Sequence, residues 1–154
     1  MQPARIVRGA AALSAAGLIS IAVWEGFQGA AYLPIEGDVP TIGFGHTAGV
    51  RLGDTVTVEQ ALTLLRGDVR EAERGVLSCV KVPLSQGELD AFVSLAFNVG
   101  TRAFCGSTLV RKLNGGDYAG ACEEIKRWHF AGGVSVPGLV ARREAEFRRC
   151  MGDE

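Results

Sequence analysis

Glu25, Glu36, Asp38 and Thr41 fall within one stretch, WEGFQGAAYLPIEGDVPTIGFGHT, residues 24–47. Three carboxyls and a hydroxyl this close together suit acid-assisted cleavage of a glycosidic bond. That reaction needs one acid to protonate the leaving oxygen and a second group to orient water or stabilise developing positive charge. Glu25 follows Val23 and Trp24 and is followed shortly by Phe27. An apolar surround favours the protonated carboxyl near neutrality, the state from which a general acid works. Hairpin acids also serve simply as turn formers, so spacing alone leaves both readings open.

The elements that must position these residues follow from the pattern around them. Glu25 ends an apolar segment. Gly37-Asp38 marks a turn between Ala31-Tyr32-Leu33 and Thr41-Ile42-Gly43-Phe44, so a small hairpin is expected next. Pro34 and Pro40 limit it to edge-like pairing. Gly43 and Gly45 permit close backbone approach, but no helix start follows them as a dinucleotide fingerprint requires. From Thr57 the period turns helical: Thr57 and Gln60 make a capping box, then Val58, Leu62, Leu65, Val69, Ala72 and Val76 recur at steps of three and four. Arg66, Asp68, Arg70, Glu71, Glu73 and Arg74 read as its solvated face. Beyond Pro83, Ser85 and Glu88 open a second helix whose Leu89, Phe92, Val93, Ala96 and Phe97 predict the central core helix, stopped at Asn98-Val99-Gly100. A short helix over Ser107–Leu113 closes at Asn114-Gly115-Gly116, and Asp117 caps the next, with Ala121, Cys122, Ile125 and Trp128. A loop is expected from Gly132-Gly133 to Pro137-Gly138. The last helix carries an Arg142–Glu146 pair at i,i+4 spacing. The class is α+β, a hairpin lobe followed by a mainly helical lobe.

The chain of 154 residues fits one domain with an ordinary core. Its formal charge of −1 gives no field for nucleic acid, and neither histidine nor cysteine spacing builds a metal site, so no cofactor is expected. Arg5 and Arg8 precede the uncharged run Gly9–Trp24, the layout of an export signal with its N-terminus cytoplasmic. The run falls short of the roughly 20 residues that span a bilayer comfortably. Ten of its sixteen residues are Ala, Gly or Ser, so its hold on lipid is weak. An ordinary first helix of a soluble core is the alternative, and cleavage after Ala22 would strip the helix that positions Glu25. Export favours paired cysteines among Cys79, Cys105, Cys122 and Cys150, and retention in the cytosol favours buried thiols. Sequence does not give their connectivity.

EGF…AY…G…PTIGFGHT resembles the Glu/Asp/Thr segment of the phage-type lysozymes, glycoside hydrolase family 24. AFVSLAFNVGTRAFCGSTLVRKLNGGDY, RWHFAGG and GLVARREAEFRR resemble later motifs of that family in the same order, from about Val23 to Cys150. The N-terminal segment is similar to the signal-anchor-release segment of a subset of phage endolysins. The resemblance implies a lysozyme-like fold, with residues 1–24 as signal anchor and 25–154 as catalytic domain. It implies a monomeric muramidase that cleaves the β-1,4 bond between N-acetylmuramic acid and N-acetylglucosamine of peptidoglycan. Tethered inactive to the host inner membrane with its catalytic domain in the periplasm, the enzyme would become active once released there. Glu25 is then the general acid and Thr41 the holder of the attacking water. The family's second acid, two residues after the hairpin Tyr, has no counterpart, since Leu33 and Pro34 follow Tyr32. Asp38 is the substitute of choice, with Glu36 as its rival or a sugar ligand. Phe104 and Ser107 are expected at the sugar site. Trp128, Arg142 and Arg143 are expected to be structural. A non-catalytic wall-binding or membrane-tethered module with this fold is the competing class, and a lytic transglycosylase the competing reaction.

Overall fold

The computed structural model describes residues 4–6 and 8–153. Val7, inside the expected anchor segment, lies outside the described residues, as do residues 1–3 at its start. In chain order the elements are α1 (Ala15–Glu25), β1 (Gln28–Tyr32), β2 (Thr41–Gly43), α2 (Val58–Cys79), α3 (Gln86–Val99), α4 (Thr101–Cys105), α5 (Thr108–Asn114), α6 (Tyr118–Ile125), β3 (Phe130–Ala131), β4 (Val134–Ser135) and α7 (Pro137–Met151). They form two compact units, one of Leu18–Glu71 and one of the N-terminal residues to Gly17 with Ala72 onward.

Helix α1 starts at Ser14, whose hydroxyl accepts the Gly17 N–H at 3.0 Å, a cap that replaces one missing intrahelical partner. It stops at Gly26, which takes φ +72° and returns its N–H to the Ala22 carbonyl at 3.0 Å. With 11 residues it is about 16 Å long by the helical rise. Among the described residues, no helix is long and apolar enough to cross a membrane.

In the Leu18–Glu71 unit, β1 and β2 pair antiparallel, with Tyr32 opposite Thr41 and Gln28 opposite Gly43 across a register shift. The hairpin expected around Gly37-Asp38 is present. A third segment had no sequence signal: Ala31 donates its N–H to the Asp54 carbonyl at 3.0 Å, and Val56 returns one to Gly29 at 2.9 Å. The buried side of the unit is Ile21, Ala22, Ile42, Phe44, Ala61, Leu65 and Val69. Gly43, at φ +66°, lies so close to α2 that an added Cβ would stand 2.9 Å from Ala61 Cβ. The Thr57/Gln60 capping box forms, with Gln60 N–H on the Thr57 hydroxyl at 3.2 Å and Thr57 N–H on the Gln60 amide at 2.9 Å.

In the other unit, α3 is the expected core helix, opened by the Ser85/Glu88 capping box and buried continuously from Glu88 to Ala96. Helix α7 packs on it, and the Arg142–Glu146 pair lies within that packing, in keeping with the structural role expected of Arg142 and Arg143. Arg142 and Glu146 are buried, 5 % and 4 % exposed. Glu146 accepts from Ser94 at 2.6 Å, and Arg143 Nε lies 2.8 Å from its other oxygen. Burial pushes the Glu146 carboxyl up, against the lowering pull of Arg143, Ser94 and Arg142. The loop expected at Gly132-Gly133 is instead a two-stranded hairpin, β3 with β4. Both glycines have positive φ, 57° and 79°, as a tight hairpin turn needs. The four cysteines are paired as Cys79–Cys105 and Cys122–Cys150.

Candidate functional site

Helix geometry delivers Glu25 to the end of α1, and Gly26 then turns the chain into β1. The Glu25 side chain is partly buried. Its apolar neighbours are more open than the sequence suggested, with Val23 75 % and Phe27 40 % exposed. The Phe27 ring packs at 5.5 Å on Phe44. After β2 the backbone doubles back, with Ile42 and His46 exchanging N–H···O bonds at 2.9 Å in both directions. That tight turn sets Gly45 beside the acid: a Cβ on Gly45, at φ +87°, would stand 3.5 Å from Glu25 Oε2. That is ordinary van der Waals distance, so the turn lies directly against the carboxylate, and the positive φ is what favours glycine there.

The second half of the site hangs on one residue. The Asp38 carboxylate accepts the Val39 N–H at 2.8 Å, and the Thr41 hydroxyl donates to the Val39 carbonyl at 3.2 Å. Acid and hydroxyl are thus tied to opposite ends of the same residue in the hairpin turn. Thr41 is nearly buried, 6 % exposed. Because its hydrogen is spent on Val39, its oxygen lone pairs remain for accepting from water. Glu36 is exposed on the same turn, outside this frame.

His46 was not singled out from the sequence. Its Nδ1 lies 2.8 Å from Asp68 Oδ2 on α2 and its Nε2 is 3.0 Å from the Ala48 carbonyl. These bonds pin the end of the turn that carries Gly45. Asp68, read as part of a solvated face, is therefore a partner of the hairpin.

The two residues expected from the helical lobe lie in the other unit. Phe104 is fully buried, its ring 6.0 Å from Phe92, so its side chain offers no surface to a sugar. Ser107 caps α5, accepting the Val110 N–H at 3.3 Å and donating to the Phe104 carbonyl at 2.6 Å. It borders a depression of about 340 Å³ with Arg111, Glu124, Arg127 and Trp128. The Lys112 ammonium bound to Glu124 holds that carboxyl below the ordinary Glu value despite its desolvation, with Arg127 adding to the effect.

The chain matches the phage lysozyme family over residues 22–146. It is 42 % identical over 138 residues to the endolysin of Acyrthosiphon pisum secondary endosymbiont phage 1, covering 87 % of this chain and 94 % of that protein. It is 38 % identical over 130 residues to the SAR-endolysin of Enterobacteria phage P21, covering 82 % of this chain and 79 % of that one. Among solved structures it is similar to the muramidase domain of SpmX from Asticaccaulis excentricus, with a TM-score of 0.85, 33 % identity, and 91 % and 97 % of the two chains covered. The fold, the order of its elements and these likenesses agree: the chain belongs to the phage lysozyme family of endolysins.

Proposed function

We propose that the chain is a muramidase that hydrolyses the β-1,4 bond between N-acetylmuramic acid and N-acetylglucosamine in peptidoglycan, with Glu25 as general acid. The observation that carries this reading is the Glu25 carboxylate beside Gly45, in the same compact unit as the turn holding Asp38 and Thr41. Glu25 gives its proton to the glycosidic oxygen as the bond to the anomeric carbon breaks and positive charge develops on the sugar. A water resting on the Thr41 oxygen attacks that carbon, and its proton passes to Asp38. The Val39 frame favours Asp38 over Glu36 for this role, because it ties Asp38 and Thr41 to one residue. Glu36 and Ser107 are left as sugar-binding candidates. Peptidoglycan glycan strands are the substrate, and the protein acts as a monomer.

Residues 1–24 tether the exported chain to the inner membrane, facing the periplasm in an inactive form, and release lets the segment fold with the catalytic domain of residues 25–154. The endolysin and SAR-endolysin names of the relatives support this reading. The test is a turbidity assay on purified peptidoglycan with Glu25→Gln, Glu36→Gln, Asp38→Asn and Thr41→Ala. Removing the general acid is expected to lower activity by about 10²- to 10⁴-fold, and Asp38→Asn is expected to lose far more than Glu36→Gln. Unchanged clearing by Glu25→Gln would remove Glu25 from the chemistry, and no clearing by the wild type would reduce the protein to a wall-binding module. The reverse order of the two hairpin acids would transfer the second role to Glu36.

A further inference from the structure

The outer side of α2 carries a row of charge that neither the fold nor the catalytic reading uses. Arg66, Arg70 and Arg74 stand four residues apart on this helix, and all three are exposed. Four residues advance a helix by about 6 Å and turn it by only about 40°, so the three guanidiniums share one face over about 12 Å. None of them makes an ion pair or a hydrogen bond among the described residues. The acids of the same helix are engaged elsewhere or stand apart. Asp68 holds His46 at 2.8 Å and Glu73 accepts the Leu13 N–H at 2.8 Å, while the exposed Glu71 pairs with none of the three. Like charges at this spacing repel and weaken a helix, whereas an acid four residues away would strengthen it. The row therefore weakens α2 and gains nothing within the chain.

Gly67 is a second, independent observation. It lies in the interior of α2, where glycine is one of the least favourable residues. Yet a Cβ there would meet nothing within 4 Å, and its φ is not positive. Neither packing nor backbone conformation calls for a glycine at this point. With the exposed Thr63 it leaves low ground beside Arg66 and Arg70, over which another chain can approach the helix closely.

Guanidinium forks match carboxylates bidentately. Successive arginines are about 6 Å apart along the helix, inside the Debye length of about 8 Å at physiological ionic strength. Their fields add, so a polymer with repeated anions is favoured over a single anion. The whole chain, at a formal −1, supplies no such attraction. For a chain that works on peptidoglycan, the polymer at hand is the substrate, whose stem peptides carry free carboxylates. We propose that Arg66, Arg70 and Arg74 form an anchoring row for the stem-peptide carboxylates of peptidoglycan, apart from the residues that cut the glycan. The choice of partner rests on the muramidase reading above. The row sits on the helix that fixes the turn beside Glu25 through Asp68 and His46. It keeps the protein on the wall between cuts and leaves the cleavage step alone.

Binding and cleavage are read separately. The triple variant Arg66→Gln, Arg70→Gln, Arg74→Gln keeps good helix formers at all three sites. It is compared with its parent, both carrying Glu25→Gln, by pelleting with purified sacculi at 4 °C. At least fivefold weaker binding of the triple variant is expected at physiological salt. Lysine at the same three positions, which keeps the charge, is expected to restore most of it. Amidating the carboxyls of the sacculi is expected to lower the parent to the level of the triple variant. Equal pelleting of parent and triple variant overturns the anchor, and a loss that amidation does not reproduce overturns the carboxylates as its partner. With Glu25 intact, the triple variant is expected to raise the KM for sacculi several-fold at unchanged kcat. A fall in kcat instead would put the arginines in the cleavage machinery and overturn their separation from it. A wild-type chain that binds sacculi through the row and never cuts them overturns the muramidase reading, while the pelleting rules on the anchor by itself.

Discussion

Val39 does for the hairpin what no side chain in it does alone, holding an acid by its N–H and a hydroxyl by its carbonyl. Residue types and spacing picked out Glu25 and Thr41, because a helix-end acid and a Thr opening a Gly-rich strand are visible in the string of letters. The preference for Asp38 over Glu36 had only their places in the turn behind it. Both sit in one turn, and a backbone hydrogen bond, which composition does not record, holds the Asp38 carboxylate on the Val39 N–H. The same limit hid His46 and Asp68, since their pairing across 22 residues depends on how the turn after β2 meets α2. Gly43→Ala tests that meeting. It adds a Cβ 2.9 Å from Ala61 at φ +66°, and strain of this kind costs about 1–3 kcal/mol. Urea unfolding is expected to show the loss, whereas Gly67→Ala, with open space around it, is expected to show none.

At the scale of elements, caps and periodicity were the most legible features. Thr57/Gln60, Ser85/Glu88 and Asp117 all mark helix starts where the sequence puts them. Burial of charge was legible only through the family resemblance, which marked Arg142 and Arg143 as structural; the spacing of Arg142, Arg143 and Glu146 does not show it, and they become core through the packing of α7 on α3. Removing one member of such a buried cluster strands the others. Arg143→Ala is expected to destabilise by about 3–5 kcal/mol, read by chemical denaturation. Each disulfide closes a loop, with sequence separations of 26 and 28. Bridges of this kind contribute about 2–4 kcal/mol, so reductant is expected to lower the urea midpoint markedly, and Cys122→Ala with Cys150→Ala to reproduce part of that drop. The Lys112–Glu124 pair joins α5 to α6 at 2.7 Å. Its Glu carboxyl is lowered in the fold, so its stabilisation is complete above the ordinary Glu value and fades as pH falls through the lowered one. Lys112→Met is expected to flatten that acid limb in a stability-against-pH series.

For the molecule as a whole, the α+β class and the helical sequence of elements were readable in advance. The third segment beside β1 and the β3–β4 hairpin were not, because they rest on pairing between stretches without a two-residue alternation. The uncharged run 9–24 shows how far a sequence reading reaches. Its composition fits a lipid-seeking segment, yet the fold seats Leu13 and Ser14 on carboxylates and continues the run as the helix that ends in Glu25. Under the proposed function this segment has two homes, bilayer and fold, and so joins location to chemistry in this account. The most direct measurement of its central claim is mass spectrometry of the fragments released from purified peptidoglycan by the wild-type chain. New reducing N-acetylmuramic acid ends, absent with Glu25→Gln, are the expected result. Anhydro-muramic ends, or fragments cut in the peptide stems alone, would contradict it.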